Sequence, residues 1–141
     1  MSETQGADWE LQVAIVARLA SLDELASLVG DPPRIYQRVP PQPLFPYITI
    51  GDGHVADSSV QDLAAEDVWP DIHVWSRAQS RSEGKRIAAI VKAALHERQD
   101  LLALAENRCV YLRHQATRQL DDPDGTTWHS VVTFKAGMVP A

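Results

Sequence analysis

Apolar residues recur at three- and four-residue spacing near the start of the chain, where Trp9, Val13, Val16, Leu19, Leu22 and Leu25 fall on one side and Glu10, Arg18 and Glu24 off it. That period predicts an amphipathic helix over residues 9–29. Gly30 and then Asp31, Pro32 and Pro33 end it, because glycine accepts the C-cap conformation and the prolines cannot continue the helix. A short apolar pair, Ile35 and Tyr36, reads as a strand. The following prolines at 40, 41, 43 and 46 lack backbone donors, which places their segment across the surface or at a sheet edge. Tyr47 to Ile50 reads as a strand with Ile48 and Ile50 on one face.

Residues 51–66 are polar without a period, which predicts a flexible connection or a protruding hairpin arm. Val68 to Ser76 alternates, with Ile72 and Val74 facing one way and His73 and Trp75 the other. Pro70 near its start implies an edge position or a bulge. Ile87, Ile90, Val91, Ala94 and Leu95 mark a second amphipathic helix between Ser80 and about Arg98. Arg108–Leu120 and Thr126–Met138 flank the turn sequence DDPDG and should form a long antiparallel hairpin. The expected fold is α+β: a mostly antiparallel sheet with two amphipathic helices packed on one face. One domain spanning 1–141 is expected, with residues 1–8 as a flexible N-terminal tail.

Composition narrows the classes. The chain has 141 residues, 45% of them hydrophobic and 23% charged, as in an ordinary globular domain. A net charge of −6 argues against a protein that grips duplex DNA, since that affinity comes from neutralising phosphates with Lys and Arg. The N-terminal MSETQGADWE is acidic and polar and no long apolar run follows, so neither a membrane span nor a signal peptide is expected. Cys109 is the single cysteine, which leaves no internal disulfide and no multi-cysteine zinc site. A lone thiol in an apolar strand reads as core filler.

Candidate chemistry is sparse. Ser80 and Glu83 fit a capping box at the second helix, with the serine capping the first turn and the glutamate reaching back. The alternative there is an anion site, since Arg77, Arg81, Lys85 and Arg86 surround a helix start, but a glycine-rich phosphate loop is lacking. The cap is the favoured reading, and the four cations equally suit acidic residues of a neighbouring subunit. Asp52, His54 and Asp57 share one loop without a metal-ligand spacing. His114 and His129 lie on the two arms of the last hairpin and are candidates to meet, yet with Asp122 and Asp124 they form no nucleophile, base and orienter set. Trp69, Trp75 and Trp128 read as core or subunit-interface anchors. No catalytic residue, cofactor or metal is expected.

RIYQRVPPQPLFPYITIGD (34–52), DIHVWSR (71–77), EGKRIAAIVKAAL (83–95) and DPDGTTWHSVVTFKA (122–136), in that order and spacing, resemble the tail-terminator and tail-completion proteins of long-tailed bacteriophages, prophages and gene transfer agents. The resemblance runs from about residue 9 to residue 139. It implies an α+β fold and a structural protein, not an enzyme, that assembles as a hexameric ring on the head-proximal end of the tail tube, stops tube growth and meets the head connector. The implied partners are further copies of itself, the tail tube protein and a head-tail connector or stopper, with DNA sliding through the lumen without specific binding and no membrane. Its implied location is the cytoplasm during assembly and then the tail of a phage or phage-like particle. The expected ring contact sets Arg77, Arg81, Lys85 and Arg86 against Asp62, Glu66 and Asp67. The proline segment, with Pro43 and Phe45, and the 51–67 arm are the surfaces expected to meet other tail proteins. The rival readings are another neck connector or stopper, and a small hydrolase built on the 52–57 loop.

Overall fold

The computed structural model describes residues 6–141. The expected single N-terminal helix is two: α1 (Ala7–Ala20) and α2 (Asp23–Val29). The break falls where Ser21 donates to the Arg18 carbonyl from both its backbone N–H (3.3 Å) and its hydroxyl (2.7 Å), closing α1. The face of α1 also differs from the expected stripe. Ala7, Leu11, Ala14, Ile15 and Leu19 are buried, whereas Trp9 and Val13 are 45% and 49% exposed. Apolar residues nearly encircle this helix, so spacing alone does not set its rotation. The face carrying two alanines lets α1 approach the sheet closely, and Glu10 fixes the rotation from the side. Gly30 ends α2 as expected, at φ 97° with its N–H on the Ala26 carbonyl. The tail expected over 1–8 lies outside the described residues through Gln5, while Ala7 and Asp8 already belong to α1.

Five strands follow: β1 (Ile35–Tyr36), β2 (Tyr47–Asp57), β3 (Glu66–Ser76), β4 (Asn107–Asp121) and β5 (Trp128–Pro140). They lie in the order β1-β2-β3-β5-β4, with β1 parallel to β2 and every other pair antiparallel. The third helix, α3 (Ser82–Leu95), bridges β3 and β4, and a short 3-10 turn at Gln99–Leu101 follows it. The α+β class and the mostly antiparallel sheet are therefore as read from the pattern. Segment 51–66 is the hairpin arm of the two alternatives, since β2 runs on to Asp57 and β3 begins at Glu66. β3 is interior, so Pro70 marks an irregularity and not an edge: it faces Gly53, where the β2 register slips after Ile50.

Alternation divides the sheet into two unlike faces. Ile48, Ile50, Ile72, Val74, Val132, Phe134 and Ala136 point at α1, α2 and α3 and form the core with Leu11, Ile15, Leu25, Ile87, Val91 and Leu95. Phe134 is the largest of the fully buried side chains. Cys109 is 7% exposed within this core, where burial pushes its thiol up to about 11 despite its contact with the Tyr111 carbonyl. Such a thiol is filler, as expected. The opposite face carries Thr49, His73, Trp75, His129 and Val131. The three tryptophans read as anchors are not core residues: Trp69, Trp75 and Trp128 are all half-buried. Trp69 and Trp75 occupy the half-buried positions of the β3 alternation, on the face turned away from the helices.

Candidate assembly surfaces

The β4–β5 turn organises the basic corner. Gly125, at φ 75°, closes the turn by donating to the Asp122 carbonyl. Asp124 accepts from the Thr127 hydroxyl (2.7 Å) and from the backbone N–H groups of Thr126 and Thr127, and these bonds bring its carboxyl down to about 2. The anion fixed in this way faces Arg77 at 3.4 Å, whose Nε also donates to the Thr127 hydroxyl at 3.0 Å. Arg81 pairs with Asp121 at 2.6 Å, and its guanidinium lies 4.4 Å from the Trp128 ring centroid. Two of the four cations assigned to a neighbouring subunit thus have acidic partners in their own chain. Lys85 and Arg86, on the first turns of α3, are exposed.

The expected capping box does not form. Arg81 occupies the N-cap position without a side-chain cap, and Ser80 instead contacts the hydroxyl of Ser82. Glu83 turns inward to accept from Ser76 at 2.7 Å. Ser76 is fully buried and needs an acceptor, a demand that outweighs the gain from a solvent-exposed cap.

Phe45 links the basic corner to an aromatic row on the sheet face opposite the helices. Its ring lies 4.1 Å from the Arg77 guanidinium and 4.8 Å from Tyr47. Tyr47 stacks on Trp75, and Trp75 on His129 at 3.7 Å. His129 meets His73 through ring nitrogens 2.7 Å apart, a bond that needs a single proton between them. Desolvation, then the nearness of His73, lowers the affinity of His129 for a second proton. Its expected partner, His114, lies level with Phe134 and bonds Thr117, because the register sets His129 opposite Leu120. Pro43 is half-buried, while its neighbour Leu44 is 69% exposed.

The acidic end lies ten strand positions away along β3, about 33 Å from Ser76 at roughly 3.3 Å per residue. Asp62 and Glu66 are exposed at the arm's tip. Asp67 is engaged within the chain, accepting from the Tyr111 hydroxyl at 2.7 Å with Lys135 at 4.0 Å. Burial, then that bond, raises the Tyr111 hydroxyl to about 12. Val60 and Leu63, 64% and 55% exposed, face solvent at the same tip. Of the loop suspected as a metal site, His54 stacks on Trp69 at 4.3 Å and Asp57 accepts from Ser59. Among the described residues no three His, Cys, Asp or Glu side chains gather in a way that could hold a metal.

The pattern of residues gave no hint of one long-range clamp. The Glu10 carboxylate accepts from the backbone N–H groups of Ala105, Glu106 and Asn107 at 2.7, 3.1 and 3.2 Å, tying α1 to the chain entering β4. Desolvation opposes the charge, but these hydrogen bonds outweigh it and hold the carboxyl below its usual range. Glutamate ordinarily marks a solvated helix position, so only the tertiary structure exposes this role.

A half-open depression between Gln12, Gly51, Gly53, Val68 and Trp69 holds about 60 Å³, and a more open cleft between Trp9, Gln37, Thr49, His73 and Trp75 holds about 470 Å³. No described helix is long and apolar enough to cross a membrane. The described residues thus present a five-stranded sheet with a basic corner, an acidic arm and an aromatic face. The chain belongs to the family described as Tail completion protein gp17, whose sequence profile matches residues 13–138. It is thus a structural protein of a phage-type tail. It is also similar to a chain of the solved structure "Virion of native gene transfer agent (GTA) particle", with a TM-score of 0.82 and 30% identity, over 93% of this chain and 95% of that one. Comparison with curated proteins finds no match.

Proposed function

We propose that this chain forms a closed hexameric ring at the head-proximal end of a tail tube, ends tube growth there and presents its other face to the head connector or stopper. The observation that carries this reading is the separation of charge. Beyond the cations already paired with Asp121 and Asp124, Lys85 and Arg86 stay exposed where β3 ends, and the carboxylates Asp62 and Glu66 where it begins. A single domain with unlike ends joins head to tail, and such contacts close into a cyclic ring when the rotation per subunit allows. Lys85 and Arg86 are the cations left for that contact, since Arg77 and Arg81 serve to brace the β4–β5 turn. The arm tip, with Val60 and Leu63, and the proline segment around Pro43, Leu44 and Phe45 supply the contacts to the tube and connector proteins.

The function is matching of surfaces without bond chemistry, and the chain takes it up in the cytoplasm and keeps it in the tail of the particle. A net charge of −6 suits a subunit beside a channel for DNA, because like charge keeps the polyanion from adhering. The test is tube growth in solution. Purified tail tube protein should elongate until this chain is added and then stop, with a labelled antibody marking one end of each tube. Labelling along the whole tube, or unchanged growth, would contradict the terminating role.

A further inference from the structure

The two sides of the sheet are only partly closed. β1 covers β2 at Ile48 and Thr49, so among the described residues no strand borders 51–57 of β2 on that side. β4 is the terminal strand on the other side. Its middle is blunted, for the Leu112 carbonyl accepts from the Glu97 N–H at 2.8 Å and the His114 N–H donates to His96 Nδ1 at 3.0 Å. Past His114 the register slips and, among the described residues, no strand lies outside the stretch 115–120, which is exposed at Gln115–Arg118 and at Leu120. Native sheets usually cover, twist or charge such edges, because an open edge is a template for pairing.

Charge distinguishes the two open stretches. Between Arg38 and Arg77 the chain holds no Lys or Arg, and its charged residues there are all Asp or Glu. The open stretch 115–120 of β4 holds Arg118 and no carboxylate, and β4 as a whole holds Arg108, Arg113 and Arg118 against Asp121 at its end. Opposite sign on opposite edges favours pairing of one copy's β4 with another's β2 and disfavours like edges meeting.

We propose that successive copies of this chain join edge to edge, β4 residues 115–120 of one pairing antiparallel with β2 residues 51–57 of the next, so that one sheet continues around the assembly. The inference rests on the ring reading above and names its subunit contact. Through β3 and β5, β2 and β4 of one chain are antiparallel. Rotation about a ring axis preserves each strand's inclination, so the neighbour's β2 meets β4 antiparallel as well. The open stretches lie at diagonal corners, because 115–120 is level with the Tyr47–Gly51 part of β2 and not with 51–57. The resulting offset is about 13–20 Å at roughly 3.3 Å per residue. Stagger of this kind is what tilted strands need to close.

The test uses the full chain with Cys109→Ala, Thr117→Cys and, in turn, Val55→Cys, Ala56→Cys or Asp57→Cys, oxidised at a concentration where native mass spectrometry detects the ring. A ladder of disulfide-linked copies for one of these registers is expected, absent from each single-cysteine control. In the chain without new cysteines, Arg118→Glu should weaken association about tenfold while leaving the melting temperature unchanged. Rings without a ladder from any pair, or association indifferent to Arg118→Glu, would overturn the edge contact and leave the ring standing. A chain that remains monomeric both in solution and on tubes would overturn the ring itself.

Discussion

Replacing Glu10 by Gln keeps the side chain's size and removes its charge, which isolates the clamp between α1 and the chain entering β4. In the native chain Oε1 accepts three backbone N–H groups, while Oε2 lies 3.4 Å from the Asn107 side-chain amide. Gln keeps one oxygen, but its NH2 replaces the second acceptor and meets another donor. Hydrogen bonds to a charged group contribute about 1.5–3 kcal/mol each when well shielded, and this carboxylate is partly open to solvent, so the expected loss is about 1–2 kcal/mol in all. For a domain of this size that corresponds to a fall of roughly 3–8 °C in Tm. The pH dependence gives the sharper check. The native carboxyl titrates below its unfolded value, so its contribution is complete above the ordinary carboxylate range and fades as pH falls through the lower native value. Urea melts of both chains should differ at pH 7 and differ less at about pH 3. An equal difference at both pH values, or none at pH 7, would refute the charge-based clamp.

Phe134→Ala should cost about 3–5 kcal/mol in urea unfolding, because the ring is fully buried at the centre of the sheet; a loss under about 1 kcal/mol would mean the core repacks around it. Gly53→Ala should loosen the arm, since at φ 138° the added methyl runs into the Trp69 carbonyl oxygen; faster proteolysis between 51 and 66 with little change in global unfolding is expected, and an equally resistant arm would contradict this. Cys109 should stay unreactive towards a thiol reagent at pH 8 until the chain unfolds, given a thiol at about 11, and labelling of the native protein within minutes would contradict its burial.

What could be read from residues alone depended on whether the determining contact was local. DDPDG fixed the last hairpin because turn and flanking strands are adjacent, and the period of α3 named Ile87, Ile90, Val91, Ala94 and Leu95, all of them buried. The rotation of α1 was not legible, since its apolar residues encircle it and its orienting clamp reaches residues 95–97 positions later. The capping box failed for the same reason: Ser76, buried under α3, draws Glu83 inward. Arg77 and Arg81 looked free because Asp124 and Asp121 lie 47 and 40 positions away. The His73–His129 contact spans 56 positions and depends on the β3–β5 register, which no short motif encodes.

The central claim concerns where this subunit acts, and electron microscopy of particles from a strain lacking its gene, beside a complemented strain, tests it most directly. The account predicts overlong tails, or finished tails and filled heads left unjoined, with normal particles restored on complementation. Normal joined particles without the gene would contradict it.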